Sequence, residues 1–146
     1  MNDITVRYKL LREDARQPSY GSEYAAGADL YACGEETVIG PGCTAFIHTG
    51  IAVEIPEGYG GFVFARSSLG TKRDLAPANK VGVIDSDYRG EIMVALHNHG
   101  GVSRTVEAGE RIAQIVFLPV GRASFVLSDD LEDTQRGTGG FGSTGK

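Results

Sequence analysis

No long stretch of this sequence repeats apolar residues at helical spacing. Its apolar runs are short, and Gly, Pro and Asp stand between them. That pattern excludes a helical bundle and predicts an all-β chain. The expected strands are "ITVRYKLL", "EETVI", "CTAFIHTGIAVEI", "GFVFA", "KVGVI", "EIMVALHN", "SRTV" and "RIAQIVFLPV". One helical turn is expected around "SSLGTKR", residues 67–73. Many short strands joined by glycine-rich turns make a sandwich or closed barrel. Glycine accounts for 21 of the 146 residues, about twice its usual share of roughly 7%.

Two strands are apolar on both faces. In "EIMVALHN", Ile92, Val94 and Leu96 alternate with Met93 and Ala95, and "RIAQIVFLPV" is similar. Such a strand is covered on both sides, and a neighbouring subunit is the natural second cover in a chain this small. Gln114 interrupts the second strand, and a buried amide must find partners. It is either a satisfied core residue or a group aimed into a pocket.

Other features set limits. The net charge is -5, and no basic run marks a nucleic-acid face. No apolar stretch reaches the roughly 20 residues of a membrane span, and the start lacks the pattern of a signal peptide. A soluble cytoplasmic protein is expected. Cys33 and Cys43 are too few for a disulfide framework and are expected as buried free thiols. His97 and His99 share a face without an acidic or cysteine partner nearby in sequence, so no metal site is expected there. Residues 1–130 form the expected β-domain, and residues 131–146 a flexible glycine-rich tail. In that tail "GFGSTGK" imitates a P-loop, but no buried strand precedes it and no helix follows to receive phosphate.

The segment "GVIDSDYRG", residues 82–90, carries more chemistry than a hairpin turn requires. With "AGADL", "ARSSLG", "GERIAQIVF" and "RGTGGFGSTG" it makes an ordered series from Ala26 to Gly145. In this series the chain resembles the homotrimeric deoxyuridine triphosphatases. Ser68, where many members carry glycine, and Lys80 after Asn79 are mild departures.

The resemblance implies a jelly-roll-like β-barrel with one short helix. It also implies hydrolysis of dUTP to dUMP and pyrophosphate with Mg²⁺, which keeps uracil out of DNA and supplies thymidylate synthesis. Asp85 would activate water, and Arg136 would stabilise charge growing on the leaving pyrophosphate. Asn79, with the main chain at Gly82, Val83 and Met93, would read uracil, and Tyr88 would pack under the deoxyribose. Arg66, Ser67 and Ser68 would meet the phosphates, and Asp29 and Gln114 would hold waters of the metal. Phe141 would stack on the base while Gly139, Gly140, Gly142, Ser143 and Thr144 wrap the phosphates. Asp87 and Arg89 would be turn and interface residues. Each active site would be shared between subunits. The rival readings are a dCTP deaminase of the same broad fold and a non-enzymatic trimeric module that binds nucleotides or a protein partner.

Overall fold

The computed structural model describes residues 3–142 and 145. Its strands are β1 (Arg7–Leu10), β2 (Ser19–Tyr20), β3 (Ala28–Tyr31), β4 (Thr37–Ile39), β5 (Thr44–Glu54), β6 (Tyr59–Phe64), β7 (Leu75–Pro77), β8 (Gly82–Ile84), β9 (Glu91–Asn98), β10 (Arg104–Val106) and β11 (Arg111–Pro119). One short helix, α1 (Ser67–Lys72), follows β6. The antiparallel sheets run β1-β5-β9-β7, β10-β4 and β2-β3-β11-β6-β8. Every strand expected from the sequence is present, with trimmed ends. The very short β2, β3 and β7 are additional to them, because two to four residues carry too little period to mark a strand.

Alternation along the strands builds one core between the sheets. Ile92, Val94 and Leu96 of β9 meet Leu30 of β3, Val63 of β6 and Ile112 and Ile115 of β11. Leu69 pins α1 to the same core. The opposite face of β9 is bare: Met93 and its neighbour Phe46 on β5 are exposed. In β11 the expected second cover comes from the chain itself. A bulge between Arg111 and Ala113 breaks the alternation, and Ile112 and Ala113 are both fully buried.

A second bulge bends β5 between His48 and Ala52. Gly50 takes a left-handed φ of 65° there, and a Cβ on it would fall 2.6 Å from that of Ala15. Thr49 donates to Ile92 O at 2.5 Å, and Gly50 N–H donates to Glu91 Oε1 at 2.8 Å. The bend lets one long strand pair with both β9 and β1.

Cys33 is buried, as expected, and burial pushes its thiol above the usual range. Cys43 departs from expectation. It ends the turn before β5 and is exposed, because its backbone there closes a turn on Gly40. The strand body ends at Pro119, and residues 121–138 are all exposed without strand or helix. No helix among the described residues is long and apolar enough to cross a membrane.

Asn98 closes the end of β9 from inside the core. Its Nδ2 donates to Ile39 O at 2.9 Å and Val102 O at 2.8 Å, and its Oδ1 accepts from Gly100 N–H at 2.9 Å. Asn98→Leu keeps the branching of the side chain but leaves one buried and two part-buried backbone groups without their partner, so stability should fall by about 3 kcal/mol. Urea denaturation checks this, and a loss below about 1 kcal/mol would contradict it.

Candidate active site

The sequence-selected residues fall into separate groups. The first lies where β3, β11 and β6 run side by side. Asp29 sits opposite Gln114, and Gln114 opposite Phe64. Asp29 is a strand residue only 9% exposed. It survives burial because two guanidiniums answer it. Arg66 Nε donates to Asp29 Oδ1 at 2.8 Å, and Arg111 Nη1 donates to Oδ2 at 3.3 Å.

Gln114 is neither wholly buried nor idle. Its Nε2 donates to Ala65 O at 2.9 Å. Its Oε1 occupies space that only a glycine at position 27 leaves open, since a Cβ there would lie 2.7 Å away. Ser67 and Ser68 open α1 just beyond Arg66, and Thr71 Oγ1 caps back onto Ser67 O at 2.7 Å. Beside them opens a cleft of about 460 Å³, lined by Arg16, Tyr31, Arg66, Ser68, Arg73 and Arg111. Arg111 was not singled out from the sequence. A basic residue beginning the strand that carries Gln114 was the available signal.

The second group surrounds "GVIDSDYRG". Here the hairpin expectation needs correction. β8 pairs with β6, whereas β9 pairs with β5 and β7, so residues 85–90 cross between sheets. Apolar alternation marks strands but does not say which partners they take. The crossing explains the crowding of polar residues. Tyr88 N–H donates to Asp85 O at 3.1 Å, closing a turn. Arg89 Nη1 donates to Ser86 O at 2.7 Å and Tyr88 O at 3.1 Å, so Arg89 stiffens that turn, as expected of it. Tyr88 folds back and donates to Glu91 O at 2.9 Å. Asp85 is exposed. Val83, Asp85, Tyr88 and Met93, with Phe46, line a cavity of about 220 Å³. Asn79 lies on the preceding turn, its Nδ2 near Gly82. Lys80 beside it takes a left-handed φ of 66°.

The third group is the tail, which makes no side-chain hydrogen bond or ion pair to either of the others among the described residues. Arg136 Nε donates to Gly139 O at 2.7 Å within its own turn, and Phe141 is fully exposed. Gly142 has a left-handed φ of 86°. Ser143 and Thr144 lie outside the described residues.

β6 borders both of the first two groups, but among the described residues no side-chain hydrogen bond or ion pair joins them. Three strand spacings separate β3 from β8, on the order of 14 Å along the sheet, before the further residues to Asp85 are counted. Their two hollows share no lining residue.

The family model described as dUTPase matches residues 13–145. The chain belongs to the dUTPase family. A relative from Desulfitobacterium hafniense, called deoxyuridine 5'-triphosphate nucleotidohydrolase, is 53% identical over 99% of both chains. Among solved structures, the dUTPase of Staphylococcus bacteriophage 80alpha with dUPNHPP superposes with a TM-score of 0.91 at 30% identity, covering 97% of this chain and 99% of that one. A mutant dUTPase from phage phi11 of S. aureus, described for the coordination of a structural Mg(II) ion, gives 0.82 at 26% identity over 89% and 100%. The family likeness extends to the jelly-roll fold and to all the strands that hold the two groups.

Tyr88 keeps its place only because residue 90 lacks a side chain. A Cβ on Gly90 would fall 2.4 Å from the Tyr88 hydroxyl. Gly90→Ala should therefore swing the ring away and break its bond to Glu91 O, costing about 1 kcal/mol. A crystal structure of the variant checks this, and an unmoved ring would contradict it.

Proposed function

We infer that this chain hydrolyses dUTP to dUMP and pyrophosphate with Mg²⁺ in the cytoplasm, as a homotrimer with shared active sites. The observation that carries the reading is the apolar-walled cavity with the Asp85 carboxylate at its rim. The names of the relatives and the bound dUTP analogue in the phage enzyme support it.

In this reading uracil enters beside Val83 and Met93, and the main chain near Gly82 with Asn79 pairs with its polar edge. Cytosine presents the reverse pattern and leaves those groups unpaired, a heavy penalty. Tyr88, held against Gly90, fills the space a ribose 2′-hydroxyl needs. Asp85 accepts a proton from the water that attacks the α-phosphorus. The new oxygen–phosphorus bond replaces the bond to the bridging oxygen, and pyrophosphate leaves. Ser67 donates to that bridging oxygen, Arg66 and Ser68 hold phosphate oxygens, and Arg136 meets the charge on the leaving group. Phe141 covers the base as the tail closes with Gly142 and Ser143, which excludes water.

Mg²⁺, when bound, neutralises phosphate charge and keeps several of its waters. The residues present fit it. Gln114 Oε1 accepts no hydrogen bond among the described residues, since the amide is fixed through Nε2. Asp29 is oriented by two arginines and retains lone pairs. Both would hold waters of the metal.

The separation of the groups supports sharing. Asp29 lies three strand spacings from the strand that leads to Asp85, and among the described residues Arg136 bonds only within its own turn. The bare face of β9 gives further copies an apolar surface to cover.

Asp85→Asn should lower kcat on the order of a hundredfold while leaving binding of a dUTP analogue intact. Pyrophosphate release measures the first and calorimetry the second; wild-type turnover would remove Asp85 from the role. Sharing is checked by refolding Asp85→Asn with an equal amount of a chain ending before Arg136. With random assembly, roughly a quarter of the sites should pair an intact Asp85 with an intact tail. Activity no higher than the two inactive parents, with mixed trimers confirmed by mass, would contradict a shared site.

A further inference from the structure

Two arginines outside all five motifs line the same cleft as Arg66, and of these Arg73 is paired with Glu110 while Arg16 is not. Arg16 belongs to the loop between β1 and β2. That loop is pinned at two neighbouring points. Ala15 is buried against the Gly50 bulge. Asp14 Oδ2 accepts from Gly34 N–H at 2.5 Å, a bond that holds the Asp14 carboxyl below the usual carboxylate range. The next side chain is thereby presented outward. Its guanidinium carbon lies 5.7 Å from the centre of the Tyr31 ring. Tyr31 is itself tied to Ser19 Oγ at 2.6 Å. On its other side Arg16 lies across Gly109, where a Cβ would approach Nη2 to 2.9 Å.

Charge in the cleft is out of balance. Asp29 answers Arg66 and Arg111, and Glu110 answers Arg73. Glu110 has little left to offer Arg16, because its Oε2 also accepts from Glu107 N–H at 3.0 Å. Arg16 makes no ion pair or side-chain hydrogen bond among the described residues, so its donors face the cleft unspent. A stacked guanidinium with a free fork suits a phosphate. In the reading above Arg66, Ser67 and Ser68 meet phosphate oxygens beside α1, and Arg136 meets the leaving pyrophosphate from the tail. Arg16 adds a cation on the wall shared with Tyr31 and Gly109, placed to meet the outermost phosphate from the body of the domain.

We propose that Arg16 binds the terminal phosphate of the nucleotide and makes this chain favour triphosphates over shorter nucleotides. The assignment rests on the dUTP reading of the same cleft.

The test compares Arg16→Ala with the parent by calorimetry, with Mg²⁺, using the imido analogue of dUTP, dUDP and dUMP. The variant should bind the triphosphate analogue about tenfold more weakly, the scale of one charge-assisted hydrogen bond. Its affinities for dUDP and dUMP should not change. Arg16→Lys should recover part of the loss, since the charge stays and the fork goes. Equal weakening toward all three ligands would overturn the assignment and make Arg16 a structural residue. Unchanged affinity for the triphosphate analogue would overturn it as well. A parent that binds no deoxyuridine nucleotide would overturn the underlying reading too, and is told apart by needing no variant.

Discussion

The buried ion pair between Asp29 and Arg66, with Arg111 on the second oxygen, fixes the geometry of everything around it. A carboxylate this enclosed is costly unless both oxygens are met. Meeting them ties the end of β6, where α1 begins, to β3 and to the first residue of β11. Three elements distant in sequence are thus held in one register. Gln114 could not aim its amide without that register, because Gly27 and Ala65 adjoin the ends of two different neighbouring strands, β3 and β6. The cleft beside Ser68 exists because α1 is anchored from both sides, by Leu69 in the core and by Arg66 on Asp29.

The other half of the site depends on steric absence. Gly82 lies against Val63, and Gly90 lies under Tyr88. Side chains at either position would push apart the elements that shape the cavity. The crossing of residues 85–90 from one sheet to the other lets Asp85 stand exposed beside an apolar hollow. A true hairpin would have kept β8 and β9 in one sheet.

Much of this was legible in the sequence. The long strands, α1 and the mixed character of the tail follow from period, punctuation and composition. Ser19–Tyr20 and Leu75–Pro77 were not visible as strands, because two or three residues carry no period. The partner of β8 was not visible either, since Val83 and Ile84 read equally well beside β6 or β9. Among site residues, the motif positions stood out by their chemistry. Arg111 and Arg16 did not. The meaning of Arg111 comes from what it faces across the sheet, and that of Arg16 from the cleft its loop borders, and spacing along the chain encodes neither. Cys43 was misjudged because burial habit describes a residue type and not a turn.

The exposed run after Pro119 has a kinetic consequence. Extended, the chain from Pro119 to Arg136 reaches roughly 55 Å. Arg136 and Phe141 are therefore covalently confined to a small volume, and their encounter with a site does not depend on protein concentration. A tether of this kind supplies an effective concentration up to the millimolar range. Closure can then rest on weak individual contacts and still be frequent. Weak contacts also break quickly, so in the proposed reading a tail that covers the nucleotide need not delay the departure of what the reaction leaves behind.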